Sequence, residues 1–445
     1  MSQKQLHFFE PTHVAVKAPK EVKISHRQRL ENKYAPLLRQ ELQLANIVSY
    51  VPNKKLPLLR LYRYKEAFAY RFVEEFISRF GLNETDYLFD PFCGMGTTLF
   101  VGAHKGIASI GVDKLPIGPF VARTLPLFYS LKPGQLKKTF DKIKTKVPSA
   151  EPAHVALDVA IMKVAFPKDT LLELRKWKTV IENLSSPLKD IFQLFLLSVL
   201  DVCSYTSKDG QFLRLLKDKV PANPAAALEQ KVHEAESDIH AIKNLKWQPP
   251  VQPSVYLGDT RDLSPIAFER PPTALITSPP YANRYDYTRS YSLELCFQFV
   301  KNFEELKALR FGILRSHIES KVEAHEEASQ PAVQEVVHPL RAKRKELNNP
   351  KIPDMITGYF VDMEKAIKEW SKVLAPGAKV ALVVDNVRFD GELLPVDLVL
   401  SEMAEEAGFR VDEIIVARYK GNSSQQMGKY GRVPVRESIV VWTKL

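Results

Sequence analysis

Between Tyr87 and Asp113 the chain reads as a short apolar strand, a glycine-bearing turn, a helix and a second strand. Tyr87-Leu88-Phe89 forms the first strand and residues 90–96 the turn. Residues 97–105 form a helix closed by Gly106, and residues 109–113 form the second strand. A strand, a crossing helix and a second strand make a right-handed βαβ unit, which requires a parallel sheet with helices on its faces. Strand signals return at residues 255–257, 274–277, 379–384, 411–417 and 438–442. The fold class that follows is α/β, a doubly wound, Rossmann-like, mostly parallel sheet carrying two mainly helical insertions.

The rest of the chain divides around that sheet. Residues 1–60 read as a basic, proline-punctuated arm. Residues 61–130 hold the βαβ unit, preceded by an amphipathic helix over residues 64–80, where Phe68, Phe72, Val73, Phe76, Ile77 and Phe80 share one face. Residues 131–250 form a helical insertion, 251–300 a second part of the sheet, 301–358 a charged helical insertion and 359–445 the third part. Hydrophobic content of 45% with 26% charged residues excludes wholesale disorder. The longest apolar stretch, residues 191–202, is far short of the roughly twenty needed to span a bilayer. No apolar signal segment opens the chain, and the three cysteines form no CxxC pair, so a cytoplasmic protein without a disulfide framework or metal site is expected. Lys and Arg exceed Asp and Glu by 63 to 52, a net charge of +11. Residues 1–80 carry about +8 of it and residues 418–445 about +5. Clustered cations suit a polyanion such as nucleic acid, although basic ends can equally be solvated tails.

Two turns carry the chemistry. In Asp90-Pro91-Phe92-Cys93-Gly94-Met95-Gly96-Thr97, Gly94 and Gly96 allow a tight turn and a close approach of backbone to a ligand. Asp113, ending the next strand, stands where a ribose-binding carboxylate is expected. The other reading is a tight βα turn that binds nothing. Asp259, after the following strand, can accept from an adenine amino group or simply cap a helix. The second turn, Ser278-Pro279-Pro280-Tyr281, follows the apolar strand 274–277. Its prolines stiffen the chain and remove two donors, leaving the Pro279 carbonyl and Ser278 hydroxyl as acceptors beside the flat face of Tyr281. Two acceptors and an aromatic plate suit an amino group on a heterocyclic base. Held by both protons, such a group becomes pyramidal and its lone pair can attack.

DPFCGMGTT together with TSPPY resembles the amino-methylating DNA methyltransferases that use S-adenosyl-L-methionine, and the Ser-Pro-Pro-Tyr form most resembles those acting on N4 of cytosine. The resemblance covers roughly residues 60–130, 251–300 and 359–445. It implies that Asp90, Pro91, Phe92, Gly94, Gly96 and Thr97 surround the cofactor's methionine and sugar, that Asp113 holds the ribose and that Asp259 lies near the adenine. Tyr64 and Phe68 match the family's N-terminal cofactor motif, and residues 436–442 its last strand. Ser278, Pro279, Pro280 and Tyr281 become the catalytic turn. Many SPPY enzymes place that turn before the glycine motif; here it follows by about 180 residues. The absence of a Pro-Cys dipeptide argues against covalent cytosine-C5 chemistry.

For double-stranded DNA, Arg284, Tyr285 and Arg289 interleave cations and rings just after the diproline turn, as stacking and phosphate contacts require. Lys420, Asn422 and Arg432 lie in a Gly-, Asn- and Gln-rich segment before the last strand, suited to phosphate and base-edge contacts. The resemblance further implies a restriction-modification setting, with a cognate restriction endonuclease as partner. The rival functions are adenine-N6 methylation by the same site, a guanine-N2 type RNA methyltransferase, and a DNA-binding protein without catalysis.

Overall fold

The computed structural model describes residues 24–209, 212–216, 218–244, 251–322, 326–421, 431 and 434–445. Eight strands form one sheet: β1 (Leu38–Gln40), β2 (Tyr87–Asp90), β3 (Ala108–Asp113), β4 (Ser254–Leu257), β5 (Ala274–Thr277), β6 (Lys379–Asp385), β7 (Phe409–Lys420) and β8 (Val435–Lys444). Their spatial order is β1-β7-β8-β6-β5-β2-β3-β4. Only β8 runs against its neighbours. The register brings Glu437 beside Asp385 and Asp90 beside Gly111, so the ends of β2, β3, β5, β6 and β7 and the start of β8 share one edge.

Strand alternation divides the core. Phe89, Leu275 and Leu382 face a layer containing the helices Pro331–Ala342, Ile352–Val373 and Val396–Glu406. Leu88, Ile276 and Val383 face the helix Tyr70–Phe80. The first insertion packs into a third apolar cluster, shared with buried residues of 58–64 and 291–306 and with Phe100, in which Phe140 and Trp177 stack at 5.5 Å.

Four expectations change. The arm's residues 38–40 pair in parallel with Ile414–Val416 and add an edge strand, so this part is built into the sheet. The first amphipathic helix begins at Tyr70, not Tyr64. Buried Asn53 donates to Phe68 O at 2.9 Å and accepts from Tyr70 N at 2.8 Å, while Ala69 N donates to Ile47 O. These bonds hold residues 64–69 out of a helix despite the apolar spacing. The first insertion also contains a hairpin, Thr206–Asp209 with Phe212–Leu215. Finally, the helix Ile352–Val373 runs through the boundary expected at residue 358.

Candidate active site

At the shared edge lies a cleft lined among others by Tyr64, Phe68, Asp90, Pro91, Phe92, Gly94, Thr97, Asp113 and Asp259. Gly94 adopts a left-handed φ of 46°, and a Cβ there would stand 3.0 Å from the Tyr64 ring. Tyr64 is fixed by stacking on Tyr291 at 5.0 Å. The turn therefore has room for a hydrogen only, as its close packing on the Tyr64 ring requires.

Gly96 is not in the cleft. It precedes the helix Thr97–His104 with φ 84°, and a Cβ on it would meet Ala122 Cβ at 2.7 Å. Its role is packing between neighbouring helices. The sequence alone cannot separate the two glycines, because both satisfy the same turn pattern.

The three carboxylates differ in how they are held. Asp113 accepts Gly94 N–H and Leu115 N–H, each at 2.8 Å, and burial pushes its carboxyl up to about 6. Asp90 is buried, accepts from Thr277 Oγ1 at 2.5 Å and Phe92 N at 3.2 Å, and is pushed up to about 7 by burial against those hydrogen bonds. Neither has a lysine or arginine ion-pair partner among the described residues. Asp259 is gripped by Arg261 at 2.9 and 2.7 Å. Burial works against its charge, but Arg261, then Lys114, hold it below the ordinary carboxylate range.

The Asp90–Thr277 bond joins the glycine turn to the diproline turn. Ser278 and Pro280 line the cleft, whereas Pro279 is buried and Tyr281 stands beyond it. Ser278 Oγ donates to Val383 O at 3.1 Å. Tyr281 Oη donates at 3.0 Å to Glu437, which is 1% exposed. Glu437 also takes Arg418 Nε and, at 2.6 Å, Lys420 Nζ; Lys420 reaches Asp385 at 3.2 Å. Burial raises Asp385 to about 6 even though Lys420 pulls the other way.

The DNA candidates separate. Arg289 is exposed. Arg284 is half-buried at a left-handed φ of 73° and reaches Asn348 at 3.4 Å. Tyr285 is 9% exposed with its hydroxyl on Glu66, so it is not free to brace a base. Lys420 belongs to the diproline network rather than to an open phosphate-binding loop. Asn422 and Arg432 lie outside the described residues.

Several cleft residues escape sequence reasoning. Glu66 accepts the hydroxyls of Tyr285 and Tyr291, the latter at 2.5 Å, and its place inside the Tyr64–Phe68 motif was the available signal. Ile313 and Leu314 form a wall from the second insertion, for which no motif exists. Arg261 ties that wall to the floor, donating to Gly312 O at 2.6 Å and to Asp362 at 2.8 Å. Among the described residues there is no cluster suited to a metal ion and no helix long and apolar enough to cross a membrane.

No family model matches the chain. It is 33% identical to the Type II methyltransferase M.BsoBI of Geobacillus stearothermophilus over 94% of this chain and 92% of that one. It is 32% identical to M.AvaI of Nostoc sp. over 93% and 92%. Among solved structures, the rRNA methyltransferase aviRa of Streptomyces viridochromogenes matches at 12% identity with a TM-score of 0.29, covering 84% of this chain and 85% of its own. That likeness is too slight to build on. In class the protein is an S-adenosylmethionine-dependent methyltransferase; more narrowly, the chain belongs to the Type II methyltransferases, the DNA methyltransferases of restriction-modification.

Proposed function

We propose that this enzyme methylates the N4 amino group of cytosine at a specific site in double-stranded DNA, with the target base turned out of the helix. The Ser-Pro-Pro-Tyr form of the turn supports the choice of cytosine; the observation that carries the amino-group chemistry is the Ser278 hydroxyl. Its proton goes to Val383 O, so its lone pairs are left to accept. The Pro279 carbonyl is the second acceptor. Together they would hold both protons of an exocyclic amino group, and no covalent step on the protein is needed.

S-adenosylmethionine supplies a methyl group on a cationic sulfonium. The cleft fits that group, because Asp90 and Asp113 line it as carboxylates without a cation of their own among the described residues. In this reading Asp90, Pro91, Phe92 and Thr97 hold the methionine end, Asp113 the ribose hydroxyls, Asp259 the adenine side, and Tyr64 and Phe68 the flank. The Asp90–Thr277 bond fixes the distance between the cofactor turn and the acceptors. A matching restriction endonuclease is the partner this reading implies.

The test is product identity. The full chain, given isotopically labelled S-adenosylmethionine with unmethylated genomic DNA or with total RNA, should label N4-methylcytosine in DNA. Labelled N6-methyladenine would overturn the cytosine assignment, and label confined to RNA would overturn the choice of nucleic acid.

A further inference from the structure

Cytosine and adenine present an amino group beside a ring-nitrogen acceptor, so the two acceptors of the diproline turn do not by themselves distinguish them. The next position differs. Cytosine carries the O2 carbonyl and adenine a C–H. A closed site that accepts cytosine must provide a donor to O2, because a buried carbonyl left without one costs roughly 1–3 kcal/mol, about tenfold or more in rate.

Lys420 has the features such a donor needs. It ends β7 beside the diproline turn, and its ammonium lies 5.4 Å from the Tyr281 ring centroid, over the plate on which a base would stack. Of its three N–H donors, Glu437 and Asp385 take two, at 2.6 and 3.2 Å. No third acceptor engages it among the described residues. The two carboxylates restrain a flexible side chain, so little rotamer freedom remains to be lost when it donates again. Glu437 is in turn steadied by Tyr281 and Arg418. A lysine serving DNA phosphates would be expected to have its ammonium free and exposed; this one is held between carboxylates at the turn.

We propose that Lys420 is the specificity residue of this site, donating its third N–H to O2 of the turned-out cytosine. The inference rests on the cytosine-N4 reading and adds the group that selects the pyrimidine.

The test pairs a change in the protein with a change in the base. A duplex carrying the sequence context of the wild-type product is made with cytosine or with 2-thiocytosine, a weaker acceptor at position 2, at the target. Wild type should lose roughly tenfold in kcat/KM on the thio duplex. Lys420→Met should lose about as much on the ordinary duplex and nothing further on the thio duplex, whereas Lys420→Arg, which keeps donors, should still discriminate. Cofactor affinity without DNA should match wild type in both variants and so report folding. Equal wild-type rates on the two duplexes would overturn the proposal before any variant is made. So would a Lys420→Met enzyme that discriminates as wild type does, with N4-methylcytosine still the product and the cytosine reading intact. N6-methyladenine as the wild-type product would remove the reading and the proposal together.

Discussion

At the cofactor end of the sheet edge, Asp90 and Asp113 are held by backbone N–H groups and a threonine hydroxyl; at the diproline end, Glu437 and Asp385 are held by Arg418, Lys420 and a tyrosine. Both ends bury carboxylates, but Asp90 and Asp113 have no cation partner among the described residues, whereas Glu437 and Asp385 have Arg418 and Lys420; at the cofactor end Arg261 and Lys114 are taken by Asp259. Buried negative charge without a cation is costly unless something positive joins it. The cofactor end is thus built to be completed by a cationic ligand. The diproline end, already balanced, suits a neutral base. The likeness of sequence pattern, an acidic or polar residue at a strand end followed by a turn, conceals this difference in electrostatics.

The largest effect should come from removing the Ser278 hydroxyl, which the proposed function makes an acceptor for the target amino group. Ser278→Ala takes away an acceptor for the amino protons and leaves the Asp113 and Gly94 contacts untouched. Turnover in a single-turnover assay should fall by about a hundredfold or more, while calorimetry without DNA should find cofactor affinity within about twofold of wild type. A variant that kept its turnover and lost cofactor instead would erase the division between the two ends.

The next test reads the unbalanced end through pH. Burial raises the Asp90 carboxyl to about 7 in the free protein, so it holds a proton there that an unfolded chain, with its ordinary value near 3.8, does not. For the free protein, the stability contributed by this group is full below about 3.8 and is lost as pH rises toward 7. A cation beside it favours the ionised form, so cofactor binding releases that proton. Affinity should therefore climb as pH rises from about 5 to about 7, by up to roughly tenfold per unit of pKa displacement, and level off above. Calorimetry across that window should show the rise, and Asp90→Asn should shrink it to the part that Asp113, raised to about 6, contributes. A flat wild-type profile would mean that Asp90 stays protonated beside the ligand.

How much of this was legible follows the same division. The cofactor end is sequence-local: residues 90–97 and Asp113 lie on one βαβ unit, where strand, turn and helix signals reinforce one another. Even there Gly96 misleads, since close helix packing and ligand approach both call for glycine. The diproline end is assembled from distant strands. Glu437 meets Tyr281 across 156 positions and Asp385 through register in the sheet, and no local pattern encodes register between segments so far apart. Lys420 read as a loop cation because its carboxylate partners could not be known. Tyr285 looked free because Glu66 lies 219 positions away. Residues 64–69 failed as a helix for a similar reason, the competing hydrogen bonds coming from Asn53 and Ile47.

The smallest effect concerns the DNA itself. With Arg418 and Lys420 committed to Glu437, the diproline end has used two of its nearby cations internally, and phosphate contacts must come from elsewhere. Arg289 is exposed on the short helix Tyr287–Ser290, close in sequence to the diproline turn. We expect Arg289→Ala to weaken DNA binding only a few-fold, about equally on cognate and unrelated duplexes, and to reduce the slope of log affinity against log salt by about one. Turnover at saturating DNA should be unchanged. Titrations at several salt concentrations measure both quantities. A loss confined to the cognate duplex, or a slope left unaltered, would mean that Arg289 reads a base or does nothing for DNA. The phosphate contacts would then have to lie on one of the insertions rather than beside the turn.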